Sequence, residues 1–186
     1  ATGPTNTKGI EAESNVIIGQ GFSVYLNGTL GSAKYQTGRY FPNGGLWVAD
    51  TPNNVETVSL LWRHRDWDVG LVDKRVGTLY NDNATLGYLI NGISIPYPVD
   101  QAIKIDPFNL VNVFVNYTVK SGSWLRGSKI GLAVNNLANS HSLVGVTPAI
   151  APTASVPYVQ NPSDLLNLLP GRSVMVTFTA GFAPRR

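Results

Sequence analysis

The 186-residue chain contains no cysteine, one methionine and two histidines, and only 13% of its residues are charged. The usual charged share of a soluble domain is about 25%. Without cysteine there are no disulfide staples, no thiolate zinc sites and no thiol nucleophiles. Long apolar runs are also missing. None approaches the ~18 residues that a membrane helix requires. Basic clusters are missing as well: the formal net charge is +3, and two of the positive charges are Arg185 and Arg186 at the very end. A nucleic-acid partner is therefore not expected. Helical periodicity is nearly absent. The segment Ser163 to Leu169, between Pro162 and Pro170, has room for a turn or two of helix and no more.

What is present is alternation. Hydrophobic residues make up 43% of the chain and aromatics 10%, too many for a disordered segment. Period-two patterns mark seven strands. The first runs from Lys8 to Ile18, with Ile10, Ala12, Val16 and Ile18 opposite Glu11, Glu13 and Asn15. Gly19-Gln20-Gly21 turns the chain into a second strand, Phe22 to Tyr35. A third spans Val55 to Arg65 and a fourth Trp67 to Tyr80. The fourth breaks the pattern, because Asp73 and Arg75 share parity with Val69 and Leu71. A bulge would reset its register, and the two charges would then face the polar side. The fifth strand, Phe108 to Val119, sets Val111, Val113, Val115 and Tyr117 against Asn112 and Asn116. The sixth is Lys129 to Leu137 and the seventh Ser173 to Phe182.

The connections alternate short and long, with long segments at 36–54, 81–107 and 138–172. In an antiparallel meander this puts every short turn at one end and every long loop at the other, as in outer-membrane barrels. Strands of ~9–14 residues exceed the soluble mode of about 5–6 and match a tilted bilayer crossing. Phe22, Tyr35, Trp62, Trp67, Tyr80, Tyr117 and Phe182 lie near strand ends, where interfacial girdles form. The fold class expected is all-β: an antiparallel up-and-down segment of a transmembrane β-barrel. A soluble β-sandwich alternates in the same way, but strand length and loop asymmetry weigh against it.

Several motifs occur in order along these strands. They are Lys8-Gly9-Ile10-Glu11, the prolyl loop ending Asp50-Thr51-Pro52, Arg75-Val76-Gly77 followed by Tyr80, the strand from Leu110 to Tyr117, Val134-Asn135-Asn136-Leu137, Pro170-Gly171-Arg172, and the terminal aromatics Phe178 and Phe182. Each is weak alone. Together they resemble the C-terminal barrel of TonB-dependent outer-membrane receptors, over essentially Lys8 to Phe182. Two departures are Ala138, where the family carries an aromatic, and the four residues that follow Phe182. The resemblance implies a transporter, not an enzyme, in the bacterial outer membrane. It would take up a scarce, bulky nutrient (an iron–siderophore, cobalamin or glycan), with no resident cofactor. Its partners would be outer-membrane lipid, a plug domain and the TonB–ExbB–ExbD energy complex. Large transporters of this kind use about 22 strands, so residues 1–186 are expected to be the C-terminal part of a longer barrel, without the plug and the N-terminal strands. Gly9, Glu11, Gly77, Asn135, Asn136, Leu137, Pro170, Gly171, Arg172 and Phe182 would be its structural motif residues.

Chemistry beyond this is sparse. His64 and His141 have no companions at metal-ligand spacing, and Ser140-His141-Ser142 is no triad signature, since triads are defined by geometry. Glu11 and Glu13 fit a polar lumen wall better than an acid/base pair. The glycine-rich pieces lack the following helix and lysine of a phosphate loop. The informative surface is the long loops, where exposed aromatics commonly bind ligands. Arg39, Tyr40, Phe41, Trp47, Tyr88, Tyr97 and His141 are the substrate-contact candidates. The alternative function is a soluble binding module, for carbohydrate, built around Trp47.

Overall fold

The computed structural model describes residues 4–36, 47–81, 88–90, 93–95, 103–120, 125–150 and 158–181. Seven antiparallel strands form one sheet: β1 (Thr5–Gly19), β2 (Phe22–Tyr35), β3 (Asn54–His64), β4 (Trp67–Val76), β9 (Phe108–Thr118), β10 (Lys129–Asn135) and β13 (Ser173–Thr179). Their order in space is their order along the chain, β1-β2-β3-β4-β9-β10-β13. The sheet is an open meander with β1 and β13 at its edges. Three hairpin pairs lie within the long connections: β5 (Leu79–Asn81) with β8 (Ile103–Ile105), β6 (Tyr88–Ile90) with β7 (Ile93–Ile95), and β11 (Leu143–Thr147) with β12 (Leu165–Leu168).

The seven strands expected from alternation are these seven, with ends shifted by a few residues. The turn of helix that Ser163–Leu169 has room for does not form. Residues 165–168 are β12, paired through Leu166 with Val146. Leucine-rich composition and flanking prolines allow either state at this length, and the available partner strand decides it.

Short turns are tight. Gly19, Gln20 and Gly21 have φ of 112°, 51° and 87°, and Gly19 pairs with Phe22. Two turn residues with positive φ match the twist of the flanking strands. A Cβ on Gly21 would run into the Arg63 carbonyl, whose own amide donates to the Gly21 carbonyl at 2.8 Å.

The register of β4 is unbroken against both neighbours, from Trp67 to Val76. No bulge moves Asp73 and Arg75 to the polar side. They remain on the face of Val69 and Leu71, where Asn109 donates to Asp73 at 3.0 Å and Arg75 pairs with Glu56 at 3.4 Å. The parity that the sequence leaves open is thus unchanged along β4, and the placement of these two charges on the polar wall is wrong. The fourth strand is also shorter than expected. The chain leaves the sheet at Gly77, whose amide donates to the Asn54 carbonyl at 2.8 Å. Side-chain oxygens of Asn53 and Asn54 occupy the space a Cβ would need there. Beyond it, Leu79–Asn81 pairs with β8.

Candidate functional site

The sheet has two unlike faces. One carries Val16, Val24, Leu60, Leu71, Val113, Val134 and Val174 in one cross-strand row. The next row toward the short turns is Phe22, Trp62, Val69, Val115, Leu132 and Val176, and the last is Trp67, Tyr117, Ile130 and Phe178. Many of these side chains are exposed, Val176 by 71% and Phe178 by 62%. The opposite face carries Glu11, Glu13, Asn27, Thr57, Lys74, Asn112 and Asn116, interrupted by a less polar row through Leu61, Phe114 and Met175.

The apolar stripe is not parallel to the rows. Toward the loops it reaches Ile10 on β1 and Leu30 on β2, stops at Val58 on β3 and Leu71 on β4, steps back one row to Val111 on β9 and ends at Val134 on β10. Toward the turns it begins at Phe22 on β2 and Trp62 on β3, but one row further out, at Trp67, on β4. From β1 to β13 both borders shift toward the short turns, with β9 stepping back one row on the loop side. This is the pattern expected when strands cross an apolar layer at a tilt. Glu56, Arg75 and Asn109 form one row on the same face past the border of the stripe, whereas Asp73 lies between Val58 and Val111 and accepts from Asn109.

An aromatic group closes the turn-side border. Phe22 and Trp62 lie 6.1 Å apart, Trp62 and His64 are stacked at 5.9 Å, and Trp67 and Tyr117 are 4.9 Å apart. These are the girdle residues expected on this side. Tyr35 and Tyr80, expected in a second girdle, belong instead to the loops. Tyr35 is buried, and Tyr80 stacks on Trp47 at 5.9 Å.

Among the described residues the buried hydrophobic side chains are Ala33, Tyr35, Leu79, Ile103, Ile105 and Val146, all at the long-loop end. The Lys34 ammonium sits 5.1 Å from the Trp47 ring centroid, Trp47 bridges to Lys34 through backbone, and the Asn81 amide donates to the Val146 carbonyl. The loops thus have a small packed core of their own. Trp47 is half-buried in it, held by Lys34 and Tyr80, and serves to close the loops together.

A second joint forms where two motifs meet. Asn136, 2% exposed, accepts the Ser140 amide at 2.9 Å and donates to the carbonyls of Ser140 and Pro170, both at 2.8 Å. Its own amide donates to the Asn112 side chain at 2.9 Å. The Arg172 amide donates to Asn139 Oδ1 at 2.8 Å. Val134-Asn135-Asn136-Leu137 and Pro170-Gly171-Arg172 are therefore one structural unit that ties the exit of β10 to the entry of β13. Exposed His141 belongs to this unit; its Nε2 lies 3.7 Å from the Cβ position of Gly171. The Ser140 and Ser142 hydroxyls bond each other at 2.7 Å, and among the described residues neither bonds His141.

Of the other candidates, Gly9 opposes Gly31 and Glu11 opposes Thr29 in the β1–β2 ladder. Asn135 donates to the Ser173 hydroxyl at 3.3 Å, and the Leu137 amide donates to Val111 at 2.7 Å. Tyr88 opens β6 opposite Ile95. Arg39, Tyr40, Phe41, Tyr97 and Phe182 lie outside the described residues. Trp47 and His141 belong to different long connections; Trp47 stacks on Tyr80, and the neighbouring Asn81 donates to the Val146 carbonyl in the connection that holds His141. Sequence reasoning missed Asp164. Its carboxylate accepts the Ala149 amide at 2.8 Å, the Tyr158 hydroxyl at 2.7 Å and the Asn161 amide at 2.9 Å. These bonds, the Ala149 amide foremost, hold it below the usual carboxylate range. Tyr158 is raised, chiefly by its bond to Asp164. The Asn-Pro-Ser-Asp run at 161–164 was the available signal, a side-chain-to-backbone turn.

Among the described residues no three metal-ligating side chains come together, and no helix is long and apolar enough to cross a membrane. No family model and no curated protein matches the chain. A solved structure does: the closed form of the ferric-catecholate import receptor Fiu from E. coli K12, with TM-score 0.57 and 15% identity. The alignment covers 94% of this chain and 20% of that one. The sheet is built like a β-barrel wall. The chain spans about a fifth of the receptor's length, and at this identity the likeness shows the fold.

Proposed function

We propose that this chain forms part of the wall and outer loops of a larger, TonB-dependent outer-membrane transporter. Such a protein captures a scarce, bulky nutrient at the cell surface and imports it. The observation that carries this reading is the tilted apolar stripe on an up-and-down meander whose long connections all lie at one end. The likeness to a ferric-catecholate receptor over 94% of the chain supports it, as do the ordered motifs. In this reading the apolar stripe faces lipid and the polar face lines the lumen. The row through Leu61, Phe114 and Met175 then meets a plug domain, and TonB and its partners act through that plug. An iron–siderophore is the favoured cargo class, by analogy with the structural neighbour. The loop units around Trp47 and around Asn136 form the outer rim; they build the site's walls and perform no covalent chemistry.

A soluble sandwich needs a second sheet to cover the apolar face. Among the described residues the other sheets are two-stranded pairs, and the buried hydrophobic side chains lie at the long-loop end.

The deciding experiment is the native size and location of the polypeptide that carries this sequence. An antibody against residues 81–107 is used on fractionated membranes, with and without heating before electrophoresis. A heat-modifiable outer-membrane band several times 20 kDa is expected. A detergent-independent soluble band near 20 kDa would refute the reading.

A further inference from the structure

Charge is sorted along the strands. The short-turn end carries Arg63, Arg65, Lys120, Arg126 and Lys129, and its acidic residues are Asp66 and Asp68. Each acid holds one cation: Asp66 is 3.6 Å from Lys120 and Asp68 is 3.4 Å from Arg63. Arg65, Arg126 and Lys129 have no acidic partner among the described residues. The other described acids, including Glu56, Asp73, Asp106 and Asp164, lie toward the loops. The turn end is therefore net positive.

The same end carries the aromatic border of the apolar stripe. His64 stacks on Trp62 and faces Trp67 across the hairpin. The β9 exit is clamped to the β3–β4 turn: the Thr118 amide donates to the Asp66 carbonyl at 2.8 Å, and Lys120 donates to the Arg65 carbonyl. This brings Arg65 and Lys120 side by side at the rim. An apolar groove lined by Trp67, Val115, Tyr117, Ile130 and Leu132 lies on the stripe beside them. Cations at a rim, aromatic rings at headgroup depth and an apolar groove for a chain are the parts of a site for an anionic lipid.

We propose that the short-turn rim binds the phosphodiester headgroup of an anionic glycerophospholipid, through Arg65, Lys120 and Arg126, with an acyl chain along the Trp67–Tyr117 groove. The proposal rests on the membrane-barrel reading. It commits to the phospholipid of the leaflet that the short turns face; the phosphates of lipid A, in the opposite leaflet, would meet the loop end.

The test uses the complete polypeptide carrying this sequence, purified from membranes in a non-ionic detergent. It is placed in mixed vesicles of phosphatidylglycerol, phosphatidylcholine and lipid A, and the lipids retained on re-extraction are measured by mass spectrometry. Arg65 has φ of 52°, so it is replaced by asparagine, which tolerates that conformation. The double variant R65N/R126Q is compared with K104Q at the loop end. Wild type is expected to retain phosphatidylglycerol over phosphatidylcholine by on the order of tenfold. R65N/R126Q should lose most of that preference and K104Q should keep it. The proposal is overturned if the double variant keeps the preference, if K104Q loses it equally, or if lipid A is enriched in place of phosphatidylglycerol. Should the double variant not fold, as judged by its heat-modifiable band, wild type decides: its preference must fall as salt is raised, and a salt-independent preference counts against the site. Protein that enters vesicles without headgroup preference sinks only this proposal. Protein that needs no detergent and enters no vesicle sinks the membrane reading with it.

Discussion

A single buried amide, that of Asn136, holds three backbone groups, two on Ser140 and one on Pro170, 34 residues further along the chain. Its φ of 50° is one that asparagine adopts more readily than most residues. Asn136→Gly keeps the backbone conformation and removes the bonds. The expected loss is about 2–3 kcal/mol, because partly buried backbone groups are left unpaired. Asn136→Ala should cost about 1 kcal/mol more, since alanine dislikes the left-handed region. Urea unfolding of the folded barrel in micelles checks both, and equal stability of Asn136→Gly and wild type would show that water replaces the amide. Asp164 is the loop counterpart. Its carboxyl lies below its unfolded value, so its bonds add stability above the unfolded pKa and lose it as pH falls through the folded one. The amides of Ala149 and Asn161 should therefore lose hydrogen-exchange protection on acidification while strand amides keep theirs. In Asp164→Asn that loss should already be present at neutral pH and should not change with acid.

Among the elements, β9 gives the plainest test of the two faces. Val113 sits mid-stripe between Leu71 and Val134, and Asn27 sits on the polar face between Glu13 and Thr57. Val113→Arg is expected to cost about 2–4 kcal/mol, the penalty for a cation at the bilayer midplane. Asn27→Arg, beside Glu13, is expected to be nearly neutral. Equal costs at the two sites, measured by the same unfolding assay, would contradict the assignment of faces. That assignment was legible in the sequence because side chains alternate with period two, so Val111 to Tyr117 declare their face without any partner. The parity of β4 was not legible. Asp73 and Arg75 look like a register error until the tilt of the stripe is known, and tilt is a property of the whole sheet. The strands in the long connections were hidden for a similar reason: three to five residues of Leu, Ile or Tyr carry too little periodicity. Motif order pointed to Asn136 and Pro170 as structural residues, but their contact across 34 residues needed the fold. The loop aromatics allow either ligand contact or packing that closes the loops, and for Trp47 the structure shows packing between Lys34 and Tyr80.

At the scale of the whole molecule, the sheet ends in two free ladders. β1 is exposed along all 15 of its residues and β13 along all seven. Unpaired edges template association with other chains, and the exposed stripe between them exceeds what water-soluble monomers usually show. The small buried core at the loop end cannot offset this, because it stabilises the loops and covers none of the stripe. Expressed by itself, the chain should therefore form large species in aqueous buffer. Detergent should shield the stripe while leaving both edges open, so the detergent-solubilised chain should remain oligomeric or strand-exchanging rather than monodisperse. On the proposed reading, adding flanking barrel strands should convert it to a heat-modifiable, protease-resistant barrel. Size-exclusion chromatography with light scattering, with and without detergent, separates these states. A monodisperse 20-kDa species in plain buffer would mean that the apolar face folds onto itself. In that case the stripe would be a core seen open, and the tilt of its borders would need an explanation other than lipid.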